Sequence, residues 1–202
     1  RYWRDWSSDV CSSDLIRAIE DPRLEDYIVD VYTELYENEE HENIEILFEG
    51  AQGFGLDIDW GDYPYVTSSH CTVGSALLNG VPASAIRDVW GVAKIYETYV
   101  GAKEFEGSDM VFEEIRELGQ EFGSTTGRPR QVNWLDYDLL KMASRINGVN
   151  KLVVNKMDIL DQVGRWCVYS GIHVLEFESR EDIEFWLSSK LKTETNENLE
   201  IF

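Results

Sequence analysis

Strand-like apolar runs alternate with helical stretches along most of this chain, and that alternation constrains the fold more than any other feature. Leu152 to Val154 is an apolar run that passes directly into Asn155-Lys156-Met157-Asp158. Ala93 to Val100 has the β-branched and aromatic bias of a strand, and Trp166 to Tyr169 and His173 to Phe177 read as two more. Ile44 to Phe48 predicts a further strand, entering the glycine-rich turn Glu49-Gly-Ala-Gln-Gly53. The intervening apolar residues recur at three- and four-residue steps, which puts them on single helical faces. Such faces are expected from Asp21 to about Asn38 (Leu24, Ile28, Val31, Leu35) and from Ala83 to about Val92 (Ile86, Val89, Trp90, with Ala93 at the same spacing). A helix over residues 109–121 would use Asp109 as N-cap and bury Val111, Ile115 and Leu118. Asp136 can cap the next, which stops at Asn147-Gly148, and Ile183, Leu187 and Leu191 mark a final helix. Strands alternating with helices imply an α/β fold, with a mainly parallel sheet flanked by helices.

Charge narrows the partners. The 202 residues carry a formal net charge of -21, so a phosphate backbone or an anionic membrane surface is repelled over most of the molecule. Nucleic acid and membranes are therefore not expected partners, and any anion site must be a local cluster of arginines, lysines and backbone N–H groups. No stretch approaches the roughly 20 apolar residues of a membrane span. Cys11, Cys71 and Cys167 are scattered without metal-ligand spacing, so reduced thiols and a cytoplasmic setting are expected. Residues 1–15 contain Ser-Ser-Asp-Val-Cys followed at once by Ser-Ser-Asp-Leu, without helical or strand period. They read as a non-native leader, leaving residues 16–202 as the domain proper.

Three loops carry chemistry. Glu49-Gly-Ala-Gln-Gly53 and Thr67-Ser-Ser69 offer close backbone approach, the amide of Gln52 and three hydroxyls. Gly123-Ser-Thr-Thr-Gly-Arg-Pro-Arg130 sets two arginines apart by a stiffening proline, and guanidinium forks suit carboxylate and phosphate oxygens. In Asn155-Lys-Met-Asp158, a carboxylate can accept from the N1–H and exocyclic amine of guanine while the lysine stem covers the base. Adenine lacks that donor pair.

Together these loops resemble the adenylosuccinate synthetases. The resemblance runs from about Ile44 to Asp161 through Phe48-Glu-Gly-Ala-Gln-Gly, Leu56-Asp-Ile-Asp, Tyr63-Pro-Tyr-Val-Thr-Ser-Ser, Tyr99-Val-Gly, Glu121-Phe-Gly-Ser-Thr-Thr-Gly-Arg-Pro-Arg and Asn155-Lys-Met-Asp-Ile-Leu-Asp. It implies a P-loop-NTPase-like fold, truncated here at both ends, and a GTP-dependent ligation of aspartate to IMP, assisted by Mg2+, in a cytoplasmic enzyme of purine biosynthesis. By resemblance, Gln52 is the catalytic residue among those present and contacts the IMP base and the reacting phosphoryl group. Thr67, Val100 and Arg128 would bind IMP, and Gly123, Thr125, Thr126 and Arg128 would line the aspartate pocket. Arg130, Lys156 and Asp158 would serve GTP. The three loops are expected to converge on one cleft holding Gln52, Arg128 and Asp158.

The match also has gaps. The family's phosphate loop, general base, catalytic histidine and Mg2+ ligands are expected in a missing N-terminal part, so the piece is expected to be inactive alone and homodimeric only at full length. No metal ligands are assigned within the chain. The family more often has Asn at His70, Arg at Tyr99 and Thr at Asn155, and Gln131-Val-Asn133 replaces a more basic stretch. Gly53-Phe54 and Cys71-Thr72 resemble instead a viral branch that joins aspartate to a guanine deoxynucleotide on the way to diaminopurine. A nucleotide-binding remnant without catalysis is the third reading.

Overall fold

The computed structural model describes residues 20–23, 30, 32–33, 36, 45–123 and 127–202. The apolar positions of the helix expected from Asp21 to Asn38 fall outside these, as do Thr125 and Thr126. The chain divides into two units, residues 1–48 and 49–202, and every element below belongs to the second.

Helix α1 spans Gly74–Leu78, followed by strands β1 (Trp90–Lys94) and β2 (Tyr96–Tyr99), helix α2 (Val111–Gly119) and strand β3 (Gln131–Asp136). Helix α3 (Tyr137–Asn147), strand β4 (Lys151–Asn155), helix α4 (Met157–Val163) and strands β5 (Trp166–Ser170) and β6 (His173–Phe177) come next. Helix α5 (Arg180–Glu194) and the short strand β7 (Glu200–Ile201) complete the order. The parallel sheet is β1-β4-β7, with β4 central; Val92 faces Val153 and Leu152 faces Ile201. A second sheet, β2-β3-β5-β6, is mixed: only β3 and β5 run parallel. Between β1 and β2 the chain passes from one sheet to the other at Ile95, which is fully buried and whose N–H still bonds Asn155 O at 3.1 Å.

Helix caps follow the sequence closely. Asp136 accepts from the N–H groups of Asp138 and Leu139, and Gly148 closes α3 in the left-handed conformation at φ 62°. Ser179 caps α5, whose Ile183, Leu187 and Leu191 are all buried. At roughly 1.5–3 kcal/mol for each fully buried aliphatic side chain, this stripe holds α5 in place. Trp186 adds edge contacts to Tyr137 and Phe177, with ring centroids 4.8 Å and 5.4 Å away.

Four expectations are corrected. Residues Ala83–Ala85 form only a 3-10 turn and Trp90 begins β1, so no α-helix runs to Val92. The cause is tertiary: Asn150 Oδ1 accepts the Val89 N–H at 2.9 Å and feeds the segment into pairing with β4. Residues 45–48 form no strand, and Ile46, Leu47 and Phe48 are exposed. On α2, Phe112 rather than Leu118 fills the core, packing edge-on against Trp134 at 5.2 Å. Asp109 is not the N-cap but does accept the Val111 N–H at 3.1 Å, while its other oxygen takes Arg165 at 2.7 Å.

One strand residue has an unusual titration. Glu97 on β2 accepts the Asp136 N–H at 3.2 Å. Burial, reinforced by the Asp136 charge and opposed by the Asp136 N–H and Lys103, pushes its carboxyl up to about 7. The folded chain then holds a proton that the unfolded chain has released, so stability falls as pH rises from 4.5 to about 7 and is flat above. Urea midpoints of the wild type relative to Glu97→Gln should decline across that window; a pH-independent difference would contradict this reading.

Candidate functional site

In open α/β sheets, ligands bind outside the carboxyl ends of the strands. Here that edge carries Lys94, the last residue of β1, and Lys156, directly after β4. Lys156 adopts φ 64°, a left-handed conformation uncommon outside glycine, and its Nζ donates to Gly119 O at 3.1 Å. The lysine is thereby anchored to the end of α2, and Asp158 in the first turn of α4 stays exposed.

Beside them lies a buried carboxylate, Glu121, only 2% exposed. Its Oε1 accepts from Lys94 Nζ at 2.7 Å and from the Tyr96 hydroxyl at 2.9 Å, and its Oε2 from Arg130 Nη1 at 3.0 Å. Burial works against the Glu121 charge, but Lys94, Tyr96 and Arg130 outweigh it and hold the carboxyl below its ordinary range. The Tyr96 phenol is driven upward by burial, by Glu121 and by the Asp158 charge, with Arg130 opposing. Arg130, Asp158 and Glu121 therefore all lie within electrostatic reach of one hydroxyl. Of the three residues expected on the GTP side, Arg130 joins this cluster directly and Lys156 meets it through Gly119, where an added Cβ would lie 2.4 Å from the Tyr96 hydroxyl.

A second group forms around the glycine turn. Gln52 has φ 59° and is exposed, and its Oε1 accepts from Ser69 Oγ at 3.5 Å. Ser69 Oγ in turn lies 3.4 Å from Thr67 Oγ1, so Gln52 and Thr67 share one hydroxyl neighbour. Among the described residues only Gln52, Gln120 and Lys156 are non-glycine residues at positive φ. That two of them were singled out from sequence fits the tendency of backbone strain to collect at functional positions.

Asp57 builds this loop. Fully buried, it accepts the N–H groups of Asp59 and Trp60 at 2.9 Å and 3.1 Å through one oxygen and of Cys71 at 2.5 Å through the other. Burial disfavours its charge, yet these three amides and the nearby His70 together keep its carboxyl below the usual range. Gly61 is required at its position because a Cβ would lie 2.5 Å from Asp57 O and 2.7 Å from Gly55 O. The Thr67 N–H bonds Leu56 O at 2.8 Å, which fixes the hydroxyl run against the turn.

Gly123 and Arg128 belong to a tight turn: the Gly123 N–H bonds Arg128 O at 2.9 Å and the Gly127 N–H bonds Gly123 O at 2.7 Å. Arg128 is exposed beyond it, and Val100, 55% exposed, directly follows β2. The described site residues thus fall into two groups and this turn, with Val100 apart at the end of β2. An open groove of about 470 Å³ lies elsewhere, between Met110, Val111 and three glutamates of α2 on one side and Val163 and Arg165 on the other. None of the expected site residues lines that groove.

Asp57, Asp59 and His70 approach closely enough to suggest a metal. Their chemistry does not fit one: backbone amides occupy both Asp57 oxygens, and Asp59 pairs with His70 Nδ1 at 3.2 Å.

With the geometry established, comparison with known proteins decides the family. The sequence model of adenylosuccinate synthetase matches residues 13–177. The chain belongs to the adenylosuccinate synthetase family. The adenylosuccinate synthetase of Syntrophomonas wolfei is 44% identical over 167 residues, covering 77% of this chain and 38% of the relative. That of Xanthomonas oryzae pv. oryzae is 54% identical over 119 residues, 57% of this chain and 28% of the relative. The fully ligated adenylosuccinate synthetase of Plasmodium falciparum superposes with a TM-score of 0.67 at 37% identity, over 77% of this chain and 39% of that one. The chain therefore spans between about a quarter and two fifths of the length of these synthetases.

Sequence reasoning about this synthetase-family chain missed Lys94, Tyr96 and Glu121 as site-building residues. Glu121 stood inside a quoted motif, and a lone acid beside two loop arginines was the available signal. Lys94 and Tyr96 gave none, since alternating strand residues look alike until the sheet shows which face they occupy.

Proposed function

We propose that this chain carries nucleotide- and aspartate-binding parts of an enzyme that joins aspartate to IMP at the expense of GTP, forming adenylosuccinate. The observation that supports the reading is the Glu121-centred cluster of Lys94 and Arg130, with Lys156 beside it, at the carboxyl ends of β1 and β4 in a chain of this family. The chemical difficulty is that the 6-oxygen of IMP is a poor leaving group. Transfer of the GTP γ-phosphoryl to that oxygen creates a good one, which the aspartate amine then displaces as phosphate. Gln52 would hydrogen-bond the base and the transferring group, with Ser69 and Thr67 beside it. Arg128 would clamp the ribose and the aspartate carboxylate, with Val100 against the nucleotide. Gly123, Thr125 and Thr126 would line the amino-acid pocket. Lys156 and Asp158 would read guanine, and Arg130 would face GTP. The family's Mg2+ finds no fitting ligands among the described residues, so no step is routed through it.

Because the chain spans 38% of the Syntrophomonas wolfei relative, the polypeptide by itself should bind without turning over. The test is calorimetric titration with IMP and with dGMP, beside an assay for adenylosuccinate from IMP, aspartate and GTP. Binding of IMP in preference to dGMP, without turnover, is expected. Preference for dGMP would move the chain to the diaminopurine branch, and binding of neither would leave a non-functional remnant. A rate typical of enzymes would overturn the expected inactivity.

A further inference from the structure

Gln131 immediately follows Arg130, and its amide is fully engaged by the loop that leaves Val100. Its Oε1 accepts the N–H groups of Phe105 and Glu106 at 2.9 Å and 3.2 Å. Its Nε2 donates to the carbonyls of Lys103 and Gly101 at 2.8 Å and 3.4 Å. Asn133, two residues along β3 on the same face, donates to Phe105 O at 2.8 Å. The far end of the loop is tied down as well. Glu106 Oε2 accepts the Val132 N–H at 2.7 Å and pairs with the Arg116 guanidinium, whose Nε donates to Arg130 O at 2.7 Å. Arg116 is only 8% exposed, so this pair sits in a weakly screened setting.

We propose that Gln131 is a positioning residue for purine-nucleotide binding: its amide holds the loop over residues 101–106 in the shape that sets Val100 against the nucleotide. The inference rests on the IMP site proposed above and deepens it. An amide suits the task where a cation does not. Two of its four partners are carbonyls that need a donor, and two are N–H groups that need an acceptor, which neither lysine nor arginine supplies. The Arg116–Glu106 pair fixes the same loop to the backbone of Arg130, so the IMP-side loop and the GTP-side arginine share one hydrogen-bonded frame. Without the Gln131 amide the loop samples other shapes, and apparent affinity falls in proportion to the fraction still competent.

The test is calorimetry on the whole 202-residue chain with IMP and, separately, GDP, for wild type, Gln131→Ala and Gln131→Glu. Gln131→Ala should weaken IMP about tenfold, the result of a competent loop populated about one part in ten, and leave GDP within about twofold. Gln131→Glu keeps the acceptors for Phe105 and Glu106 but sets an anionic oxygen against the Lys103 and Gly101 carbonyls, and should weaken IMP at least as much as Gln131→Ala. Hydrogen exchange at the Phe105 and Glu106 amides should quicken in Gln131→Ala while that of the β5 amides stays unchanged. A merely structural residue would weaken both ligands together and accelerate exchange throughout. If Gln131→Ala cannot be purified folded, Gln131→Glu alone decides, by weakening IMP or failing to. Wild-type affinity for IMP in either folded variant overturns this inference alone, whereas absence of IMP binding in the wild type overturns the proposed site with it.

Discussion

Replacing Glu121 by alanine should destabilise the chain by about 3 kcal/mol, near the lower end of what breaking a buried charge pair from one side costs. The carboxylate satisfies Lys94, the Tyr96 hydroxyl and Arg130 at once, and its removal leaves all three facing a space that water reaches poorly. Lys94 and Arg130 keep about a quarter and a third of their side-chain surface in solvent, which is why the upper end is not expected. Glu121→Gln preserves the acceptor for Tyr96 but loses the charge and should fall between alanine and wild type. In thermal unfolding, 3 kcal/mol corresponds to a shift of roughly 6–12 °C for a domain of this size. The pH dependence has a fixed sign. A carboxyl held below its unfolded value of 4.5 contributes stability that is present above that pH and is lost as pH falls through the folded value. The gap between wild type and Glu121→Gln should therefore close on acidification below about 4.5 and stay constant above it. A gap unchanged on acidification would mean that the charge on Glu121 does not stabilise the fold.

On the proposed reading, the same group would link stability to recognition. Glu121 occupies the guanidinium of Arg130, and Lys156 is tethered to Gly119, so both cations are oriented before any ligand arrives. Pre-orientation lowers the ordering cost of binding.

Much of this was legible in the sequence, for identifiable reasons. The cap at Asp136 and the stop at Gly148 depend on local chemistry, and the structure repeats them. The stripe of Ile183, Leu187 and Leu191 needed only a period of four, and all three are buried. Ala83 to Val92 failed because tertiary pairing overrode the pattern: the partners are Asn150 and β4, some sixty residues away. The mixed second sheet and β7 were equally out of reach, since strand direction is set by neighbours distant in sequence. At the candidate site the glycine turns and strand ends singled out Gln52, Lys156 and Asp158 as expectations. They could not reveal Glu121 as the carboxylate that organises Arg130, because its burial depends on β2 and β3 packing around it. Gln131 read as a lost positive charge and proved to be an amide bonded on all sides.

Asp158 carries the largest expected effect on binding. Its carboxylate is exposed two residues after the anchored Lys156, and on the proposed reading it would accept from both the N1–H and the exocyclic amine of guanine. Hydrogen bonds to a charged group contribute about 1.5–3 kcal/mol each, so the pair is worth a preference of about a hundredfold or more over adenine. Hypoxanthine keeps the N1–H but lacks the amine, and should lie between. The most direct measurement is the affinity of the chain for GDP, IDP and ADP, in wild type and in Asp158→Ala. Wild type should rank GDP above IDP above ADP, and Asp158→Ala should bring the three within a few-fold of one another. Equal binding of GDP and ADP by the wild type, or a GDP preference that survives in Asp158→Ala, would contradict the guanine-reading site on which the proposed function rests.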